Sequence, residues 1–190
     1  MTVFFVTSSC RPVSLFLLLF SLLLTSCEIF RTTPTTSTTT GRPTTAGRSK
    51  YKTVDTQTYQ RQYAGEIIRI ARTYTGTPYR SGGNTRDGID CSGLLCSVFT
   101  TVGLEMPRIS WQQSEVGYEV DVNQIRPGDL LFFVPEHSKA GYVSHAGIVT
   151  EVKGKLEIRF IHASSSRGVR EDNLFSNYFK GRFVKAVRPF

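Results

Sequence analysis

Two hydrophobic patterns follow one another along this chain, and their order constrains the fold more than any other feature. From Tyr59 to Thr73 apolar residues recur at helical spacing, with Tyr63, Ile67, Ile70 and Ala71 on one face. A second helical stretch, Leu94-Leu95-Cys96-Ser97-Val98-Phe99, opens at Asp90, whose carboxylate suits a helix cap, and stops at Gly103. From Pro127 onward the pattern changes. The turn Pro127-Gly128-Asp129 opens a strand over Leu130 to Val134. Ser144 to Val152 and Leu156 to Ala163 are β-rich runs joined by Lys153-Gly154-Lys155 as a hairpin. Met106 to Gly117 reads as irregular, with one helical turn at Ser110 to Glu115. Asp172 to Phe179 reads as a short helix and Arg182 to Val187 as a last strand. Helices first and antiparallel strands afterwards is an α+β order.

The first 53 residues follow other rules. Val13 to Leu24 is an apolar run of about a dozen residues, too short for a bilayer span of roughly 20 and suited to the core of a signal peptide. It ends in Leu24-Thr25-Ser26-Cys27, which resembles the lipobox of bacterial lipoproteins. The expectation is a signal peptide over residues 1–26 and acylation of Cys27 as the mature N-terminus, each buried methylene adding about 0.8 kcal/mol of membrane affinity. Glu28 rather than Asp follows, which in enterobacterial-type sorting points to the outer membrane, facing the periplasm. Arg31 to Lys50 is rich in Thr, lacks acidic residues and carries almost nothing apolar, so residues 27–53 read as a lipidated, flexible tether. The folded part is then 54–190, an ordinary size for one core.

Net charge is +8, and it becomes +7 once the segment holding Arg11 is removed. A basic exported chain suits a polyanionic surface, such as a cell-wall polymer or lipid headgroups. Nucleic acid is a poor partner, because Lys and Arg are scattered along the sequence and the chain is exported.

The chemistry gathers at Gly88-Ile89-Asp90-Cys91-Ser92-Gly93 and at two histidines, Ser144-His145-Ala146-Gly147 and Ile161-His162-Ala163. A thiol opening a helix after a turn-rich loop, with two imidazoles on apolar strands, is what a nucleophile, a base and an orienting partner require. The first-turn N–H groups and helix dipole are expected to favour thiolate over thiol at Cys91. Cys91 attacks a carbonyl, His145 takes and returns the proton, and His162, on the neighbouring strand, fixes the tautomer of His145. The Cys91 or Ser92 N–H with the Tyr79 hydroxyl serves an oxyanion, and Asp90 is at once a helix cap and a candidate ligand-binding group. Cys96, five residues along the helix from Cys91, is expected to be a small buried hydrophobe, and His137 a solvated loop histidine. Cys91, His145 and His162 lack the short ligand pairs of a zinc motif, so no metal or other cofactor is expected.

Read in order, Gly76-Thr77-Pro78-Tyr79-Arg80-Ser81-Gly82-Gly83, the Asp90-Cys91-Ser92-Gly93-Leu94 run, Met106-Pro107-Arg108, Pro127-Gly128-Asp129-Leu130, His145-Ala146-Gly147-Ile148 and Ile161-His162-Ala163-Ser164 resemble the NlpC-type family of cell-wall peptidases, especially its small murein-endopeptidase lipoproteins. The resemblance implies a papain-like cysteine peptidase fold, with N-terminal helices packed on an antiparallel sheet. It implies Cys91 as nucleophile, His145 as base, His162 as its polar partner, Tyr79 at the oxyanion site, and Asp90 and Ser92 flanking the substrate pocket. It also implies peptidoglycan peptides as substrate. Two other classes stay open from the residues alone: a wall-binding lipoprotein without turnover, and an amidase or acyltransferase using the same three side chains. Oligomeric state is not legible.

Overall fold

A computed structural model describes residues 54–135 and 142–190. The apolar leader, Cys27, the Thr-rich stretch and His137 lie outside the described residues. The chain enters through a helical segment built in three parts: α1 (Thr56–Thr58), capped by Asp55, a π-helical turn (Tyr59–Tyr63) and α2 (Ala64–Arg72). The expected amphipathic face is buried at Ile67, Ile70 and Ala71, while Tyr59 is buried more deeply than Tyr63. The Tyr59 hydroxyl donates to Gly128 O at 2.8 Å, tying this helix to the turn that opens the central strands.

A two-residue ribbon, β1 (Asn84–Thr85) with β2 (Gly88–Ile89), shapes the loop before the second long helix. That helix, α3 (Cys91–Thr101), starts where Asp90 accepts from Gly93 N, and it unwinds through Val102 into Gly103 at φ +74°. A positive φ is the conformation glycine adopts without steric cost, so the stop lies where the sequence put it. The expected single turn is α4 (Ser110–Gln113).

The remainder forms one six-stranded antiparallel sheet in the order β3-β8-β4-β5-β6-β7: β3 (Tyr118–Val120), β4 (Leu130–Phe133), β5 (His145–Gly154), β6 (Glu157–Ser164), β7 (Gly168–Asn173) and β8 (Phe183–Arg188). The β5–β6 hairpin and last strand follow the sequence pattern. One expectation is corrected: Asp172 is not in a helix but near the end of β7, and the short helix α5 runs only from Asn177 to Lys180 behind a Ser176 cap. Beyond the strand a Leu174-Phe175 link leads into that cap, whose side chain accepts from Phe179 N.

Alternation along the strands gives the sheet two apolar faces. Phe132, Ala146, Ile148, Ile161 and Ala163 pack with Ile67, Leu94, Leu95, Val98 and Phe99 of the helices. Leu131, Phe133, Val149 and Phe160 join Leu174 and Phe179 on the other side. This is an α+β, papain-like arrangement of helices against an antiparallel sheet. Among the described residues no helix is long and apolar enough to cross a membrane.

Candidate active site

Cys91 opens α3 and lies against the start of β5. Its Sγ is 3.9 Å from Ser144 O and is also approached by the Ala146 N–H, so the sulfur touches the peptides on both sides of His145. It is 7% exposed, yet it lines both hollows of the surface here, so it is reachable. The larger hollow, about 560 Å³, also holds Tyr79, His145, His162 and Asp172; the smaller, about 390 Å³, holds Tyr79, Asp90, Ser92 and Arg108. Every candidate residue described is thus gathered around one thiol.

Strand register brings the rings together. Ile148 pairs with Ile161 on β5–β6, so His145 and His162 are diagonal neighbours on the same face. Gly147 lies between them, where a Cβ would press on Phe160 and His162. His145 Nε2 and His162 Nδ1 are 2.8 Å apart, with the rings edge to face. The next diagonal step reaches β7: Phe160 pairs with Asp172, and His162 Nε2 lies 3.0 Å from Asp172 Oδ2. Phe133, Phe160 and Phe179 pack around the imidazoles and fix their planes.

This chain of contacts decides both tautomers. A carboxylate oxygen only accepts, so His162 carries its proton on Nε2 and presents a bare Nδ1. His145 must then donate from Nε2, which leaves its Nδ1 lone pair free to take a proton. The sequence does not single out Asp172, because the stretch from Asp172 to Phe179 reads as a short helix; the pattern Arg170-Glu171-Asp172 on an edge strand carries no apolar signal.

Burial works against the resting thiolate that the start of α3 suggests. Burial pushes the Cys91 thiol above its ordinary value, and the Asp90 carboxylate adds to that, outweighing the N–H groups of Ala146, Ser92 and Cys91 itself. Burial also drives His145 down, with His162 and Arg182 adding to the effect, to about 3. His162 is lowered by burial despite its Asp172 partner. Both shifts favour a neutral thiol and a neutral imidazole in the resting site.

Asp90 and Ser92 form the floor of the smaller hollow. Asp90 accepts from Gly93 N at 2.7 Å and Gly82 N at 2.8 Å, and it pairs with Arg108 at 2.7 Å. Burial pushes its carboxyl up, but Arg108 and those N–H groups outweigh burial and hold it below the usual range. Arg108 also donates to Ser92 Oγ at 2.7 Å. The carboxylate is therefore a cap and an arginine partner at once. Tyr79 is held beside the thiol because Ile89 N donates to Pro78 O and Arg80 N to Ile89 O. Burial, then Cys91 and Asp90, raise its hydroxyl pKa, and it faces both hollows. Cys96, expected to be a small buried hydrophobe, is half-buried and packs against the core; its Sγ lies 3.2 Å from Pro107 O and receives Gln113 Nε2. Among the described residues no group of three or more His, Cys, Asp or Glu is placed to hold a metal ion.

The family model described as NlpC/P60 matches residues 76–188, from the loop bearing Tyr79 to the end of β8. The chain belongs to the NlpC/P60 family. It is 37% identical over 118 residues to "Probable endopeptidase NlpC" of Escherichia coli K12, covering 62% of this chain and 72% of that one. It is 38% identical over 117 residues to "Murein DD-endopeptidase MepS/Murein LD-carboxypeptidase" of the same strain, covering 60% of this chain and 57% of that one. The chain thus spans little more than half the length of the second relative. An NlpC/P60 family protein from Bacillus cereus superposes with a TM-score of 0.60 at 28% identity, over 66% of this chain and 40% of that one. The NlpC/P60 match begins just before Tyr79 and takes in Cys91, both histidines and Asp172.

Proposed function

We propose that this chain is a cysteine endopeptidase that hydrolyses peptide stems or crosslinks of peptidoglycan, held to a bacterial membrane through lipidated Cys27. The observation that carries the reading is the line Asp172–His162–His145 lining the same open cavity as the Cys91 thiol. Family membership and the peptidase names of its relatives support the substrate class. The Leu24-Thr25-Ser26-Cys27 run and the Thr-rich stretch after it support export to the cell envelope, an acyl anchor on the outer membrane and reach across the periplasm.

In the reaction, the substrate carbonyl carbon approaches Cys91 Sγ. The thiol proton passes to His145 Nδ1 as the S–C bond forms, giving an imidazolium that His162 and Asp172 steady through their hydrogen bonds. The oxyanion is received by N–H groups at the start of α3 and by the Tyr79 hydroxyl. One such donor is worth ~2.7–4 kcal/mol in the transition state. The C–N bond breaks, His145 returns its proton to the departing amine, and a thioester remains. Water, deprotonated by His145, attacks that thioester; the C–S bond breaks, the acyl part leaves as a carboxylic acid, and His145 returns the proton to the sulfur.

Purified murein incubated with the soluble domain and with its Cys91→Ala form tests this. Separation of muropeptides should show new fragments only with the unaltered protein. The same fragments from both proteins, or from neither, would defeat the assignment and favour a wall-binding protein. A lipid or peptide amide cleaved in place of murein would favour the amidase reading.

A further inference from the structure

Gln113, the last residue of α4, is wholly sealed from solvent. Its Nε2 donates to Pro107 O at 2.7 Å and to Ser92 O at 3.0 Å. Both protons of the amide are thus used, and Cys96 Sγ lies 3.6 Å away as a weaker contact. Among the described residues, the Oε1 of the same side chain is buried with no hydrogen-bond partner. An acceptor stranded in this way costs stability, and it marks a side chain kept for what its donor end does.

The two carbonyls lead to the machinery. Ser92 is the second residue of α3, the helix whose first-turn N–H groups receive the oxyanion. Pro107 O belongs to the peptide that leads into Arg108, and Arg108 donates to Ser92 Oγ at 2.7 Å while pairing with Asp90 at 2.7 Å. Ser92 is therefore gripped at two points. Gln113 holds its carbonyl directly, and the arginine whose backbone Gln113 steadies holds its hydroxyl. Cys96 braces the same carbonyl from within α3, its Sγ 3.2 Å from Pro107 O. An oxyanion donor acts only if it is in place before the charge develops, and a displacement of about 1 Å forfeits much of its effect.

We propose that Gln113 is a positioning residue for the reaction, holding Ser92 so that the first-turn N–H groups of α3 meet the oxyanion. The inference rests on the peptidase reading above and extends it to a side chain that lines neither hollow. Gln113 touches no substrate and acts through Ser92 and Arg108.

The experiment separates oxyanion contacts from ground-state binding with two analogues of the stem peptide that the protein cuts. In one, an aldehyde replaces the scissile amide. Cys91 adds to it, sulfur bonding to carbon while the thiol proton passes through His145 to the oxygen, which then lies where the oxyanion forms. In the other, CH2–NH replaces CO–NH, so that oxygen is missing. Gln113→Met, which keeps the volume and removes both donors, should lower kcat roughly tenfold with KM within about twofold. It should weaken the aldehyde by a similar factor and bind the reduced-bond analogue as the parent does. Gln113→Asn, one methylene short of both carbonyls, should behave alike. Both analogues weakened together, or a kcat within about twofold of the parent, would overturn the inference. Should neither variant fold, amide NMR of the unaltered protein decides: the Ser92 amide proton should move downfield when the aldehyde binds, and an unmoved signal would overturn the inference. Failure of the unaltered protein to cut murein is a separate outcome, which would overturn the peptidase reading and the inference with it.

Discussion

Replacing Asp172 with Asn tests the argument about tautomers most sharply. The carboxylate accepts from His162 Nε2 at 3.0 Å, and that bond is the reason His162 presents a lone pair to His145. His162 is nearly sealed from solvent, with a side chain 3% exposed, whereas that of Asp172 is 25% exposed. A hydrogen bond to a charged group contributes about 1.5–3 kcal/mol, and partial exposure moves the value toward the low end. A loss of about 1.5 kcal/mol in stabilising the imidazolium corresponds to about a tenfold fall in kcat. The loss grows if the new amide turns its NH2 toward His162, because both rings would then take the other tautomer and His145 would present N–H to the thiol. Steady-state kinetics on a purified muropeptide, with a thermal melt as control for folding, give the answer. The expected result is kcat down at least about tenfold with KM changed much less. A variant within about twofold of the parent, equally folded, would refute the idea that Asp172 sets the rings.

Two further outcomes follow from the same geometry. Iodoacetamide should label Cys91 of the resting protein slowly at neutral pH, at a rate still climbing at about pH 9, because burial holds its thiol above the ordinary value; a plateau reached by about pH 7, followed by peptide mapping, would show a preformed thiolate instead. Asp129→Asn should lower the melting temperature by roughly 10 °C or more, since it strands the buried Arg188 guanidinium, whose loss of a partner costs ~3–5 kcal/mol; a shift under about 3 °C by calorimetry would contradict that.

The elements that carry the nucleophile and the two rings were legible because each has a local physical signature. Asp90 before an apolar run and Gly103 after it bound α3, and the apolar content of the β5 and β6 segments, with a turn between, marks the hairpin that bears both histidines. What escaped were the edges of the sheet. The β7 sequence Gly168-Val169-Arg170-Glu171-Asp172-Asn173 buries only its first two residues, and Glu171 faces Arg72 and Arg159 across its neighbours. A strand whose polar side chains are satisfied by partners distant in sequence offers no alternation to detect. Asp172 was hidden with it. The protonation state of Cys91 escaped for another reason. A helix start is visible in the sequence, but the depth at which the sulfur is packed against β5 is a tertiary fact, and here burial outweighs the helix N–H groups.

Nitrogen-15 NMR of the imidazoles tests the account at its centre, and the chain's three histidines keep the spectrum simple. Long-range proton–nitrogen correlation on the resting protein reports which ring nitrogen of His145 and His162 carries hydrogen. Both rings should be neutral with the proton on Nε2, and His145 should stay so on acidification to about pH 5, given a pKa of about 3. A doubly protonated His145 at neutral pH, or a proton on its Nδ1, would contradict it.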